Sequence, residues 1–286
     1  MKKTLLGAHL SIAGGIHKSI EQAESIGATA IQIFTKNSRA WFAKDLTTEE
    51  INKFVEAQKN SSVVVVTHAS YLINIASPNE KTEELSRNAL LRELERCNSL
   101  KIPYLILHPG SHTGCGDDEG MLRVSKNINL IFEQFSGNTS ILLETMAGQG
   151  TNIGHRFEQI KKMINSVKDK NRIGVCLDTC HIFSAGYKFG SASEYKNTMD
   201  EFDRIIGLEN LKIIHLNDSK TECGSRKDRH EEIGKGTIPL DVFKEIMKDK
   251  KLSSIPKILE TPAKNGISDY KKEIELLRSF ANKQSP

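Results

Sequence analysis

The 286-residue chain has no apolar run approaching the roughly 18 residues that a membrane-spanning helix needs, so a helical membrane protein is excluded. With 7 prolines, 20 glycines and no sustained heptad, collagen-like, coiled-coil and wholly disordered chains are excluded too. Cysteine is scarce. Cys97, Cys115, Cys176, Cys180 and Cys223 are odd in number and lack a Cys-x-x-Cys spacing, which argues against a disulfide scaffold and for reduced thiols in a cytosol-like compartment. Charge of one sign is also lacking: 40 Lys and Arg against 36 Asp and Glu leave +4, too little to argue by itself for a nucleic-acid partner. The start, Met1-Lys2-Lys3-Thr4-Leu5-Leu6, imitates a secretory leader, but His9 and Ser11 interrupt it before an apolar core of about 7–15 residues develops, so it reads as a first strand.

What the chain does have is alternation. Short, nearly continuous apolar runs occur at Leu5 to Leu10, Ala30 to Phe34, Val63 to Val66, Tyr104 to Leu107, Ile141 to Leu143, Val175 to Leu177, Leu211 to Ile214 and Lys257 to Leu259. Unbroken runs of this length suit parallel strands buried on both faces. Between them lie stretches of helical period. Thr47-Thr48-Glu49-Glu50 is a capping box leading into Ile51, Phe54 and Val55. Further stripes run through Phe157, Ile160, Ile164 and Val167, through Met199, Phe202, Ile205 and Ile206 with Gly207 as the stop, and through Tyr270, Ile274, Leu277 and Phe280. Strand then helix, repeated about eight times over residues 1–286 without a linker, predicts a single-domain (β/α)8 TIM barrel. A doubly wound sheet competes, but no G-x-G-x-x-G follows an early strand.

The residues that close the runs carry the chemistry. In order they are His9, Thr35-Lys36-Asn37, His68, His108, Glu144, Asp178, His215 and Glu260. Asp, Glu and His make up about one residue in six, so chance would put one or two of them at eight such positions rather than seven. In a barrel these strand ends converge on one face. A lone histidine on a strand is more often a satisfied core residue than a ligand. A cluster of carboxylates repels itself, however, and a divalent cation relieves that with imidazole and carboxylate as ligands. Asp178-Thr179-Cys180-His181 and Asp228-Arg229-His230 add close-spaced pairs. The pool is then His68, His108, Glu144, Asp178, His181, His215, Asp228, His230 and Glu260, enough for two or three ions. Cys176 and Cys180 are expected as buried thiols rather than ligands, and Trp41 as a core residue.

Three stretches go further. His68-Ala69-Ser70-Tyr71-Leu72-Ile73-Asn74-Ile75-Ala76, Gly174-Val175-Cys176-Leu177-Asp178-Thr179-Cys180-His181, and His215-Leu216-Asn217-Asp218-Ser219-Lys220 continuing to Asp228-Arg229-His230 resemble the motifs of the endonuclease IV family. These are apurinic/apyrimidinic endonucleases of base-excision repair. The resemblance extends over essentially the whole chain and includes Phe34-Thr35-Lys36-Asn37, His108-Pro109-Gly110-Ser111-His112 and Glu144-Thr145.

The resemblance implies a barrel with three Zn²⁺ ions, with Mn²⁺ an alternative at such ligands. His68 and His108 would hold one ion and share Glu144 with a second, which also takes Asp178, His215 and Glu260. His181, Asp228 and His230 would hold the third. It implies incision of duplex DNA 5′ to an abasic site, leaving a 3′-hydroxyl and a 5′-deoxyribose phosphate, together with trimming of blocked 3′ ends. Glu144 would be the central catalytic carboxylate. Arg39, Tyr71 and Leu72 would be wedges entering the minor groove beside a flipped-out nucleotide.

Lys220, Arg226, Lys227 and Arg229 are candidates for phosphate contacts, with solvation as the default. His9 and His112 are expected near the site, and His17 and His155 at the surface. A cytoplasmic monomer without a membrane partner is the expected state. Two rivals remain: a metal-dependent sugar isomerase or epimerase on a similar barrel, and a DNA-damage binder with structural zinc only.

Overall fold

The apolar runs become eight parallel strands, each feeding a helical segment that packs outside them. The computed structural model describes residues 4–282; Met1–Lys3 and residues 283–286, included in the expected domain, lie outside the described residues. In chain order the elements are β1 (Leu6–Ala8), α1 (Lys18–Ser25), β2 (Ala30–Ile33), α2 (Thr48–Lys59), β3 (Val64–His68), α3 (Glu80–Ser99), β4 (Tyr104–Leu107), α4 (Asp117–Gln134), β5 (Ser140–Glu144) and α5 (Phe157–Ser166). They continue with β6 (Ile173–Asp178), α6 (Thr179–Ala185), α7 (Ala192–Ile205), β7 (Leu211–His215), β8 (Asp218–Ser219), β9 (His230–Glu231), α8 (Leu240–Lys248), β10 (Lys257–Leu259) and α9 (Ile267–Asn282).

The sheet runs β1-β10-β7-β6-β5-β4-β3-β2. Its two ends meet: His9 pairs with Gln32, and Leu10 N donates to Gln32 O at 2.8 Å. That contact closes the barrel and removes the doubly wound alternative. Gly7 permits the close approach, since a Cβ there would lie 1.8 Å from the Ala30 carbonyl oxygen. Two features depart from one helix per strand. The β6–β7 connection holds two helices, and the long β7–α8 connection folds into the short antiparallel ribbon β8–β9.

Two apolar layers hold this arrangement. The larger lies between strands and helices and includes Phe54, Leu90, Leu94, Phe157, Phe202 and Phe243. The capping box that starts α2 is formed as its sequence predicts, with Glu50 N donating to Thr47 Oγ1 at 3.2 Å and Thr47 N to Glu50 Oε2 at 2.8 Å. The smaller layer fills the barrel itself: Ala30, Val66, Ile106, Leu142, Cys176, Ile213 and Ile258, one from each of seven strands. Among the described residues, no helix is long and apolar enough to cross a membrane.

Candidate metal centre

Side chains alternate along a strand, so the residue two beyond an inward-facing one also faces inward, one pleat higher. Two beyond the inner apolar layer stand Gln32, His68, His108, Glu144, Asp178, His215 and Glu260. The barrel interior thus changes from hydrocarbon to ligand atoms in a single step, at the C-terminal ends of the strands. Two further contributions come from above. Asp178 caps α6, accepting a hydrogen bond from His181 N at 2.8 Å, which swings the His181 ring over the cup. Pairing of Ser219 with His230 brings the β7–α8 connection back across it, with Asp228.

All nine residues expected as ligands meet there. Glu144 is central and fully buried. Its Oε2 faces His68 Nε2 at 3.1 Å and His108 Nε2 at 3.3 Å, while Oε1 faces His215 Nδ1 at 2.9 Å. His215 Nδ1 is also 3.2 Å from Glu260 Oε2 and 3.8 Å from Asp178 Oδ2. On the other side, Asp228 Oδ2 lies 3.2 Å from His181 Nε2 and its Oδ1 lies 3.3 Å from His230 Nε2. Ligand atoms within 4.8 Å of one another fall into sets: His68, His108 and Glu144; Glu144, Asp178, His215 and Glu260; and Asp178, His181 and His230. Asp178 therefore touches two sets, a sharing that spacing alone did not indicate. Cys180 also comes within that distance of Asp228 and His230. Burial pushes both it and Cys176 up to about 12, so both are protonated thiols near neutrality.

Hydrogen bonds select which nitrogen of each ring faces the cup. His68 Nδ1 donates to Ala69 O at 2.7 Å, His181 Nδ1 to Thr145 O at 2.8 Å, His230 Nδ1 to Glu260 O at 3.2 Å, and His215 Nε2 to Gln32 Oε1 at 2.7 Å. The remaining nitrogens are then aimed at carboxylates. Acceptor facing acceptor is repulsive unless a proton or cation lies between them. His181 Nε2 and His230 Nε2 accordingly have no hydrogen-bond partner although both atoms are buried.

Neighbouring imidazoles favour the ionised form of Glu144 and Asp228. Burial opposes charge on Glu144, but His215, His108 and His181 outweigh it and hold the carboxyl well below the usual range. Burial likewise opposes charge on Asp228, which His181 and His230 bring down to about 2. Burial opposes charge on His181 also, and Asp178 with Asp228 raises it well above an ordinary imidazole. Imidazole nitrogens whose protons a cation would replace, converging with carboxylates in a buried cup, are a donor set suited to divalent cations.

Resemblance extends beyond the site. The family model described as a xylose isomerase-like TIM barrel matches residues 20–280. A probable endonuclease 4 from Chloroflexus aggregans is 46% identical over 276 residues, 96% of each chain. One from Geobacter sulfurreducens is 44% identical over 261 residues, 90% of this chain and 88% of that one. The crystal structure of endonuclease IV from Thermus thermophilus aligns with a TM-score of 0.85 at 32% identity, covering 96% of this chain and 98% of that one. The chain belongs to the endonuclease IV family. A D-tagatose 3-epimerase-like protein also aligns, with a TM-score of 0.71 at 19% identity over 96% of both chains, a likeness of fold alone.

Beyond these candidate ligands, the endonuclease IV barrel here holds its site with residues that the sequence alone did not single out. Gln32, fully buried, donates to Glu260 Oε1 at 2.6 Å and to His9 Nδ1 at 2.8 Å. Asn217 donates to Asp178 Oδ2 at 2.7 Å and accepts from Glu260 N at 2.7 Å. Asp218 gathers the N–H groups of Ser219, Gly234, Gly236 and Ile238, which fixes the chain on either side of β9. A signal for Gln32 existed: it is the one polar residue in an otherwise apolar strand.

The expected wedge residues sit around the cup. Arg39 is exposed, Tyr71 is 59% exposed, and Leu72 is half-buried. The Tyr71 ring packs edge-on against Phe34, with centroids 5.4 Å apart, and lies 5.6 Å from the His68 ring. Lys220, Arg226, Lys227 and Arg229 are all exposed. His9, 3.4 Å from Glu260 Oε1, stands beside the cup. His112 does not join it: its Nδ1 accepts from Gly114 N and Gly116 N of its own loop. Trp41, expected in the core, packs at its margin and is half-buried. His17 and His155, expected at the surface, are half-buried as well, and His155 Nδ1 lies 3.1 Å from Asn152 O.

Proposed function

We propose that this protein is a DNA-repair endonuclease that hydrolyses the phosphodiester 5′ to an abasic site in duplex DNA, leaving a 3′-hydroxyl and a 5′-deoxyribose phosphate, and that it trims blocked 3′ ends. Identity of 46% across nearly the whole chain to a probable endonuclease 4 supports the nuclease class. The observation that carries the chemistry is Glu144, whose two carboxylate oxygens face separate groups of imidazoles at a barrel mouth.

Three Zn²⁺ ions are the cofactor in this reading, with Mn²⁺ as a substitute. His68, His108 and Glu144 would hold one, Glu144, Asp178, His215 and Glu260 another, and His181, Asp228 and His230 the third. Bound there, such ions supply Lewis acidity, lowering the pKa of a water and offsetting the charge on phosphate oxygens.

The chain's own residues do the rest. Glu144 divides its charge between two ligand groups and keeps their imidazoles oriented. Asn217 and Gln32 hold Asp178 and Glu260 from behind, so the cup is preorganised for a charged substrate. Arg39, Tyr71 and Leu72 enter the minor groove and fill the space that a flipped-out nucleotide leaves. Lys220, Arg226, Lys227 and Arg229, exposed on the connection that carries Asp228 and His230, are available to meet backbone phosphates.

The partner is duplex DNA containing abasic sites, and the protein acts as a cytoplasmic monomer. Five free thiols suit that compartment. The test is a duplex carrying one tetrahydrofuran abasic analogue, with and without a strong chelator. Chelatable incision on the 5′ side is expected. Binding without incision would instead favour the damage binder, and the absence of any affinity the isomerase.

A further inference from the structure

The loop after β2, which carries Arg39, and the loop after β3, which carries Tyr71 and Leu72, are tied together by a buried charge pair. Lys36 Nζ lies 2.9 Å from Glu93 Oε1 on α3, with side chains only 3% and 2% exposed. The ammonium also donates to Ala40 O at 2.6 Å, so it grips the β2 loop on both sides of Arg39. The same carboxylate oxygen accepts from Ser70 N at 3.2 Å, immediately before Tyr71. Ser70 Oγ completes the link by donating to Ser38 O at 2.7 Å.

One helical turn further along α3, Arg96 donates to Thr35 O at 2.5 Å and to Lys44 O at 2.8 Å, pinning the β2 loop at its two ends. A buried ion pair offsets its desolvation cost only where geometry and extra hydrogen bonds are good, and it often specifies a conformation rather than adding stability. Among the described residues, this one bonds backbone groups of the two loops alone.

We infer that Glu93, acting through Lys36 and Ser70, is a positioning residue that makes the two DNA-probing loops one rigid unit, so that Arg39, Tyr71 and Leu72 enter the duplex together. The inference rests on the proposed role of those three residues. Among the described residues, neither Glu93 nor Lys36 forms a hydrogen bond or ion pair with a candidate metal ligand. A preorganised wedge avoids the ordering cost of two mobile loops on binding, so its loss weakens complex formation more than turnover.

The test is Glu93→Gln in the metal-loaded full chain, which keeps an acceptor for Ser70 and removes the charge that holds Lys36. Binding and cleavage of a tetrahydrofuran-containing duplex are measured together with metal content and with acrylamide quenching of Trp41. Trp41, the single tryptophan, adjoins Ala40 and reports on the β2 loop without DNA. Kd and KM are expected to rise about tenfold while kcat at saturating duplex stays within about threefold, with unchanged metal content and a more accessible Trp41.

Unchanged Kd with unchanged quenching overturns the inference, and so does a fall in kcat with KM unmoved. Should Glu93→Gln not fold, Lys36→Met/Glu93→Gln leaves no unpaired buried charge, and the same pattern is required of it. Arg39→Ala and Tyr71→Ala separate the two levels. If they bind duplex like the wild type, the wedge reading fails, whereas unchanged Trp41 quenching in Glu93→Gln defeats the loop coupling itself.

Discussion

His215 Nε2 and Gln32 Oε1 are 2.7 Å apart at the floor of the cup, and this one hydrogen bond sets which ring nitrogen faces the carboxylates. With Nε2 donating to Gln32, His215 turns Nδ1 toward Glu144, Asp178 and Glu260. Gln32 also holds Glu260 through its amide, so one neutral side chain orients two charged or ionisable ones.

Gln32→Leu is therefore expected to weaken metal binding by about 10- to 100-fold, the usual effect of removing an outer partner of a ligating histidine. Competition with a metallochromic indicator measures this directly. Wild-type affinity in the variant would mean that His215 is oriented by something else.

Glu144→Gln removes the charge that both ligand groups share while nearly preserving shape. Single-turnover incision of an abasic duplex is expected to fall by at least about 10²–10³-fold. Near wild-type cleavage, with metals still bound, would show that Glu144 is not the shared ligand.

Stripping metal should destabilise the fold as well as abolish activity, because Glu144, Asp178, Glu260 and Asp228 are then left crowded against one another. Ligand bound only to the native state stabilises it by roughly 4 kcal/mol at a thousandfold excess over Kd. The thermal midpoint should fall on chelation and recover on adding Zn²⁺. An unchanged midpoint in a protein shown to have lost its metal would contradict this.

Lys257, at the opposite end of the barrel, gives the pH dependence. It is 1% exposed, and burial lowers its pKa to about 8 although its Nζ donates to Leu252 O and Ile255 O. The unfolded chain, with an ordinary lysine pKa near 10.4, binds more protons than the native state between those values, so stability rises with pH across that window. Relative to Lys257→Met, the wild type is expected to gain on the order of 2 kcal/mol from about pH 7.5 to 10.5 in urea titrations. A constant difference would place the folded pKa at its ordinary value.

Much of this molecule is legible in its sequence because strands are local objects. Apolar runs bounded by polar residues mark where each strand stops, and alternation puts the next inward position at His68, His108, Glu144, Asp178, His215 and Glu260. The same rule applies to Gln32, whose polarity in an apolar strand is a signal, but its role depends on His215 and Glu260, which only the closed barrel places beside it.

The amino-acid order by itself determined the barrel and the pool of nine candidate ligands, six of them from strand ends marked by periods of two and 3.6 and His181, Asp228 and His230 from close-spaced Asp and His pairs. Only the tertiary structure decided which candidate ligands face which, that Asp178 adjoins two groups, which ring nitrogens face the cup, and that Lys36 and Glu93, far apart in the chain, clasp two loops. Those are relations between strand ends and loops set by barrel closure, and distances through space have no counterpart in spacing along the chain.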